Sequence, residues 1–219
     1  MNTPHSTAAI ILAAGSSSRM GSGQHKLLLP LADRPVLTYV LDATLASQAR
    51  PIILVLGHQA TEVHAQIAPY TTHPDIIIVE NPDYLQGMST SMRAGLQVLI
   101  ESEQLQPGPS TPGSALIILA DQPFITPHII DTLIATWQTT GKSIVAPLYG
   151  GRRGNPTLFA AHLFPELLMV TGDEGGRSIL ERHRQELVTV ELGDEMLNYD
   201  VDTWEAYQQV IEAWQRKAH

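Results

Sequence analysis

The stretch AAIILAAGSSSRMGSGQHK (residues 8–26) joins a short apolar run to a loop of small residues that also carries Arg19 and Lys26. An apolar run of this length that ends at a cluster of glycine and serine is typical of a buried β-strand followed by a loop. Small residues allow backbone N–H groups to approach an anion closely. The stretch therefore predicts a strand whose exit holds phosphate, although a flexible surface loop with two solvated cations fits the same spacing.

The rest of the chain repeats this alternation of short apolar runs with longer amphipathic stretches. Runs typical of strands lie at 8–12, 52–56, 76–79, 115–119, 144–146 and 187–190. Apolar residues recur at helical spacing at 36–46, 61–68, 89–100, 127–139, 176–184 and 203–215. This alternation predicts an α/β sandwich with a largely parallel sheet, in which ligands bind beyond the carboxyl ends of the strands. The stretch QPGPSTPGS (106–114) is predicted to be an exposed connector within one domain.

The composition limits the class of protein. A chain of 219 residues that is 43% hydrophobic is long enough for one domain with a substantial core. Its formal net charge of −9 argues against a general nucleic-acid binder, and the lack of cysteine excludes disulfides and cysteine-bound metals. Residues 1–9 lack the features of a signal peptide, and no run approaches the ~20 apolar residues of a membrane span. We therefore expect a soluble cytoplasmic protein that binds neither nucleic acid nor a membrane.

Two common phosphate-binding loops do not match residues 8–26. A P-loop needs Gly-Lys followed by Ser or Thr, whereas Lys26 lies between His25 and Leu27. A dinucleotide fingerprint needs Gly-x-Gly-x-x-Gly and an acidic residue after the second strand, and ILVLGHQ (53–59) contains no acidic residue. NAD binding is therefore disfavoured. If the loop holds phosphate, Arg19 and Lys26 are the side chains that would bind its oxygens.

Further blocks follow along the chain: GMSTSMRAGL (87–96), LADQPFI (119–125), GRRGNPTLF (151–159), GDEGGR (172–177) and DVDTWEAY (200–207). Together with LAAGSSSRMG (12–21) and the later lysine, they resemble the molybdenum cofactor cytidylyltransferase family, a branch of the nucleotidyltransferases with a Rossmann-like fold. The resemblance covers most of the chain. It implies one nucleotidyltransferase domain over residues 1–219, built as a three-layer α/β/α sandwich around a mostly parallel mixed sheet. The first two thirds would bind the nucleotide and the last third the acceptor.

The resemblance also implies a reaction, in which CMP moves from CTP to the phosphate of molybdopterin and diphosphate leaves. Mg²⁺ is the implied cofactor, with Mn²⁺ as an alternative, and hard cations of this kind are held by carboxylates. Asp121 and Asp202 are the implied metal ligands, with Asp200 as the fallback. Asp121 could otherwise be a turn residue, and Asp202 could cap the last helix with Glu205 completing a capping box.

Arg19, Lys26 and Asp121 are the implied catalytic residues, because a phosphate nucleophile needs no general base and catalysis then rests on positioning and charge neutralisation. LAAG (12–15) and ADQP (120–123) are similar to the cytidylyl branch rather than the guanylyl branch. The implied nucleotide-binding residues are Ala13, Ala14, Gly15, Ser16, Ser17, Arg19, Lys26, Gly87, Ser89, Ser91 and Gln122. Ser91, with the backbone at Ala13, would read the pyrimidine; alternatively, this serine only caps a helix that begins near Ser89.

The implied acceptor site combines the compact cationic cluster with the glycine-rich block of the last third. Its residues are Arg152, Arg153, Gly154, Asn155, Gly175, Gly176 and Arg177. Without the resemblance, a solvated turn ending at Asn155-Pro156 would be the preferred interpretation of the first segment, and Asp173 and Glu174 would repel an anion unless they face elsewhere. The implied partners are CTP, molybdopterin and a molybdenum hydroxylase that receives the cofactor.

Other functions stay open at this point. A transferase of the same fold could use GTP or another phosphorylated acceptor, and a non-catalytic protein could carry the finished molybdenum cofactor to a target enzyme. A hydrolase is unsupported, because GMSTS (87–91) lacks the closing glycine of Gly-x-Ser-x-Gly.

Overall fold

An eight-stranded sheet runs through the protein. The structure is a computed structural model that describes residues 6–20, 25–105 and 112–217. Most of the connector predicted at 106–114 and residues 21–24 of the first loop lie outside the described residues, as do residues 1–5. Among the described helices, none is long and apolar enough to cross a membrane.

The strands of the large sheet are β1 (Thr7–Ala13), β4 (Ile52–Leu56), β5 (Ile76–Glu80), β6 (Ser114–Leu119), β7 (Ile144–Tyr149), β8 (Arg152–Arg153), β9 (Thr157–Ala160) and β10 (Leu187–Glu191). Their order in the sheet is β10-β7-β9-β6-β1-β4-β5, with β8 paired to β7. A separate two-stranded ribbon consists of β2 (Pro30–Leu31) and β3 (Arg34–Pro35). The helices are α1 (Val36–Leu45), α2 (Ala60–Gln66), α3 (Ala68–Thr71), α4 (Met88–Leu105), α5 (Pro127–Thr140), α6 (Phe164–Leu168), α7 (Arg177–Arg182) and α8 (Trp204–Lys217).

The predicted α/β sandwich with a mostly parallel sheet is confirmed. Strands β1, β4, β5 and β6 pair in parallel, as do β7 and β10. Helices cover both faces because side chains alternate along each strand. Ala9 and Ile11 of β1 belong to the core formed with α1, α2 and α5, whereas Ala8 and Ile10 belong to the core formed with α4, α6 and α7. The result is a three-layer arrangement.

Strand β9 departs from the prediction, since residues 157–159 were interpreted only as part of an acceptor-binding block. β9 lies antiparallel between β6 and β7. The four residues TLFA are too short for a periodicity signal, and they become a central strand only because both neighbours bury them. This antiparallel strand makes the sheet mixed.

The direction of the strands determines where the functional residues meet. The carboxyl ends of β1, β4, β5, β6, β7 and β10 lie at one edge of the sheet. The amino end of β9 lies at the same edge because this strand runs in the opposite direction. The segments after β1 and β6 and the segment before β9 are therefore neighbours, although they are far apart in the chain.

Candidate active site

A cavity of about 450 Å³ opens at this edge of the sheet. The residues predicted to bind the nucleotide that line it are Ala13, Ala14, Gly15, Ser16, Ser17, Arg19, Lys26, Gly87 and Ser91. The predicted carboxylates Asp121, Asp200 and Asp202 line the same cavity. The structure therefore brings together four segments that are far apart in the chain, at 13–26, 87–91, 121 and 200–202.

Lys26 lies between two of these carboxylates. Its Nζ atom is 2.5 Å from Asp121 Oδ2 and 2.7 Å from Asp202 Oδ1, and it donates a hydrogen bond to each. Arg19 also donates to the carboxylate of Asp202. The side chains of Lys26 and Asp121 are only 13% and 14% exposed, so water screens their attraction weakly. Positive and negative charges thus alternate across the cavity.

The pKa shifts follow from this arrangement. Burial lowers the pKa of Lys26, but the charges and hydrogen bonds of Asp121 and Asp202 outweigh burial, so that the pKa is raised. Burial raises the pKa of Asp202, but Lys26 and Arg19 outweigh it and the pKa is lowered. Burial and the charges of Asp121 and Asp202 raise the pKa of Asp200 to about 6. At neutral pH, Lys26 and Asp202 are therefore both charged.

The start of α8 explains why Asp202 is free to face Lys26. The expectation that Asp202 caps this helix is wrong, because the cap is Thr203, whose Oγ1 accepts a hydrogen bond from the backbone N–H of Ala206. Trp204, the first residue of α8, donates from Nε1 to the carbonyl of Met20 at 2.9 Å. This contact holds the short turn that carries Arg19 against the helix.

Asp121 and Asp202 suit a hard divalent cation. Both carboxylates reach the same nitrogen of Lys26, so their oxygens flank one position of the size of a cation. Within residues 6–20, 25–105 and 112–217, no group of three or more His, Cys, Asp or Glu side chains could hold a metal. A cation here would therefore complete its coordination with water and substrate phosphate, as Mg²⁺ commonly does.

Ser91 lines the same cavity from the first turn of α4. Its Oγ accepts a hydrogen bond from Asn81 Nδ2 at 3.0 Å, and both residues are buried. The alternative that Ser91 only caps the helix is not what the structure shows, because α4 begins at Met88. Asn81 was missed in the sequence, although a polar residue directly after the apolar strand β5 was a signal that could have found it.

Two predicted nucleotide-binding residues do not line the cavity. Ser89 is 1% exposed, and its hydroxyl has no hydrogen-bond partner among the described residues. Gln122 is buried and donates from Nε2 to the carbonyl and the side-chain oxygen of Asn198, at 3.3 and 3.4 Å. Gln122 thus holds the segment before α8 in place, and its contact with a nucleotide stays a prediction.

A second cavity of about 310 Å³ adjoins the first, since Met88, Leu119 and Asp173 line both. The residues predicted to bind the acceptor that line it are Arg153, Gly154, Asn155, Gly175, Gly176 and Arg177. Ile117 and Phe159, which are nearly fully buried, also line the second cavity. Its lining therefore combines polar and apolar side chains.

Arg152 does not line the second cavity. In β8 successive side chains point to opposite sides, and Arg152 lies 3.5 Å from Glu195 with a side chain that is 81% exposed. Asn198, which was missed, does line this cavity, and its Oδ1 accepts from the backbone N–H of Asn155 at 3.4 Å. Nothing in the block DVDTWEAY marks Asn198, which lies just before it.

Asp173 and Glu174 do not face elsewhere, because both line the second cavity. One oxygen of Asp173 is already occupied, since it accepts a hydrogen bond from the backbone N–H of Met88 at 3.0 Å. This contact attaches the glycine-rich segment to the start of α4. The second cavity therefore offers both cationic and anionic groups to a ligand.

The chain matches the family model described as "MobA-like NTP transferase domain" over residues 9–187. The molybdenum cofactor cytidylyltransferase of Escherichia coli (strain K12) is 33% identical over 149 residues, which make up 68% of this chain and 67% of that protein. The crystal structure of Rv0371c from Mycobacterium tuberculosis H37Rv has a TM-score of 0.79 at 27% identity and covers 96% of this chain and 99% of that chain. A structure of Rv0371C in complex with manganese has a TM-score of 0.73 at 25% identity and covers 95% and 99% of the two chains.

Proposed function

We propose that this chain transfers CMP from CTP to the phosphate of molybdopterin. The chain belongs to the MobA-like NTP transferase domain family and is a nucleotidyltransferase. The observation that carries the proposal is the cationic centre at Lys26, flanked by Asp121 and Asp202, in a cavity that adjoins a second one with arginines in its wall. The homology to a molybdenum cofactor cytidylyltransferase supports the choice of donor and acceptor.

In this reaction an oxygen of the molybdopterin phosphate forms a bond to the α-phosphorus of CTP. The bond between that phosphorus and the oxygen bridging to the β-phosphate breaks, and diphosphate leaves with the electron pair. A phosphate monoester with a second pKa of about 6 is largely ionised at neutral pH, so the enzyme needs no general base. Catalysis then consists of alignment and of neutralising the charge of the leaving group.

Lys26 and Arg19 would neutralise the triphosphate and the leaving diphosphate. Both are held at the cavity wall, Lys26 by two carboxylates and Arg19 by Asp202. A divalent cation, Mg²⁺ with Mn²⁺ as an alternative, would be held by Asp121 and Asp202, with Asp200 as the fallback, and would supply further charge neutralisation.

The cytosine base would lie toward Ser91, which the Asn81 amide holds in place. The backbone at Ala13 would assist in reading the base. The unobstructed backbone at Gly15, where an added Cβ would meet nothing within 4 Å, lets a ligand approach the exit of β1 closely. In this proposal the triphosphate would lie between the base and Lys26.

The acceptor would occupy the second cavity, with Arg153 and Arg177 near its phosphate. The division into a nucleotide-binding first part and an acceptor-binding last third is part of this proposal, with one modification: Asp200 and Asp202, in the last third, line the nucleotide cavity. A molybdenum hydroxylase as recipient and a cytoplasmic location stay predictions.

The test is an assay of diphosphate release by the purified protein with molybdopterin, Mg²⁺ and each of CTP, GTP, ATP and UTP. We expect release with CTP and formation of the cytosine dinucleotide. Diphosphate release with GTP alone among the nucleotides would identify GTP as the donor. Diphosphate release from CTP only after a sugar phosphate is added would identify a sugar phosphate as the acceptor. If no nucleotide supports release but Asp121→Ala still delivers molybdenum cofactor to a target enzyme, the protein is a carrier and not a transferase.

A further inference from the structure

His25 directly precedes Lys26 and is 4% exposed. Both of its ring nitrogens have partners. Nδ1 accepts a hydrogen bond from the backbone N–H of Leu27 at 3.3 Å, and Nε2 lies 3.2 Å from the carbonyl oxygen of His58. The ring therefore connects the turn that carries Lys26 with the segment after β4.

The partners determine the state of the ring. A carbonyl oxygen can only accept a hydrogen bond, so Nε2 carries the proton and donates a hydrogen bond to the carbonyl of His58. Nδ1 must be unprotonated to accept the hydrogen bond from the backbone N–H of Leu27. A charged imidazole would offer a proton at both nitrogens and lose the bond from Leu27. Burial, opposed by the hydrogen bond to His58 and assisted by the charges of His58 and Lys26, lowers the pKa of His25 to about 4, which agrees with a neutral ring.

The other end of this connection is a tightly packed part of the nucleotide cavity. The backbone N–H of His58 donates to the carbonyl of Ala14 at 3.2 Å. A Cβ on Gly57 would lie 2.7 Å from the Cβ of Ala14 and 2.8 Å from that of Tyr84, so the three segments are in close contact. Ala14 and Tyr84 both line the cavity.

The aromatic rings reinforce this contact. The rings of His25 and His58 stack with centroids 5.8 Å apart and an interplanar angle of 17°. The ring of His58 in turn lies 5.9 Å from that of Tyr84. A row of three rings thus extends from the residue before Lys26 to the wall of the cavity.

We propose that His25 is a positioning residue that sets the distance between Lys26, at the phosphate end of the nucleotide site, and the wall formed by Ala14 and Tyr84. The inference rests on the proposed function, because it requires that one nucleotide contacts both. His25 touches no substrate; it acts through the hydrogen bond to His58. Its contribution therefore applies to a ligand that spans both ends and not to either half alone.

The experiment compares two substitutions that each keep one hydrogen bond. His25→Asn keeps an acceptor near the position of Nδ1 but does not reach the carbonyl of His58, whereas His25→Gln keeps an N–H donor that does. We measure the Kd of CTP, of cytidine and of inorganic diphosphate for each variant, with Mg²⁺ present. His64→Asn, on the exposed side of α2, is the matched control.

We expect His25→Asn to weaken CTP binding about tenfold, the effect of losing one buried hydrogen bond, and to change the Kd of cytidine and of diphosphate less than twofold. His25→Gln should bind CTP within about threefold of the wild type. The inference would be overturned if His25→Asn bound CTP as tightly as the wild type, or if it lost as much affinity for cytidine and diphosphate as for CTP. It would also be overturned if His25→Gln bound CTP as weakly as His25→Asn. If the wild-type chain itself binds no CTP, the proposed function fails instead.

Discussion

The ammonium nitrogen of Lys26 lies 2.5 Å from Asp121 Oδ2, although 95 residues separate the two in the chain. Strand β1 precedes Lys26 and strand β6 ends just before Asp121, and the two strands are parallel neighbours in register from Thr7 and Ser114 onward. Because both exits lie at the same edge of the sheet, the loop after one strand meets the carboxylate after the other. This pairing places the candidate site at two inner strands of the sheet.

Asp121→Asn is expected to lower the rate of diphosphate release at least ~100-fold, because it removes a charge that holds Lys26 and would hold the cation. The side chain keeps its size, so circular dichroism should match the wild type. Asp33→Asn, at an exposed turn residue, is the control and should retain full turnover. Turnover above half the wild-type rate for Asp121→Asn would contradict the role of this carboxylate.

Arg153→Gln is expected to raise the KM of the acceptor about tenfold, because it removes a charged hydrogen-bond donor from the second cavity. The KM of the nucleotide should stay within about twofold. Arg152→Gln is a matched control from the same hairpin strand, since Arg152 pairs with Glu195 outside this cavity. Initial rates at varied acceptor concentration measure both variants, and equal effects of the two would refute acceptor binding by Arg153.

Gly57→Ala is expected to destabilise the fold by about 1–3 kcal/mol, because the new Cβ would overlap the backbone as well as the side chain at Ala14. Gly15→Ala meets nothing within 4 Å and should change the free energy of unfolding by less than about 0.5 kcal/mol. It should nevertheless weaken nucleotide binding, since a ligand approaches the backbone there. Urea unfolding and nucleotide titration separate the two effects; unaltered nucleotide affinity in Gly15→Ala would count against close approach.

The stability of the wild type is expected to fall as the pH is lowered from about 6.5 to 4, in part through His25. Burial is the main cause that lowers the pKa of His25 to about 4 in the native state, whereas a histidine in the unfolded chain has a pKa near 6.5. Between these two pH values the unfolded chain therefore binds a proton at His25 that the native protein does not bind. His25→Gln has no such group. Urea unfolding at about pH 7 and pH 4.5 should therefore show a smaller loss for His25→Gln than for the wild type, and parallel losses would argue against a neutral buried ring.

Much of the fold could be predicted because its signals are local. The strands at 52–56 and 76–79 and the helix at 127–139 were found within one or two residues of β4, β5 and α5. Both strands are continuous apolar runs, and the helix carries apolar residues at helical spacing. Strand β9 could not be found in this way, because its four residues are defined by the two strands on either side.

The candidate site divides similarly. Arg19, Lys26, Asp121 and Asp202 were selected in the sequence, and they form one network of ion pairs. Asn198 and His25 were not selected, because a histidine or an asparagine in a loop has no distinguishing pattern. Their importance follows from partners such as Asn155 and His58, which lie far away in the chain.

The sequence by itself determined the alternation of strands and helices, the small-residue loop after β1 and the chemical types of the charged residues, because these depend on near neighbours in the chain. Only the tertiary structure decided that Asp202 pairs with Lys26, that Arg153 and not Arg152 lines the second cavity, and that the two cavities share a wall. Those outcomes depend on which segments the parallel and antiparallel pairing brings to the same edge of the sheet, and no local pattern carries that information.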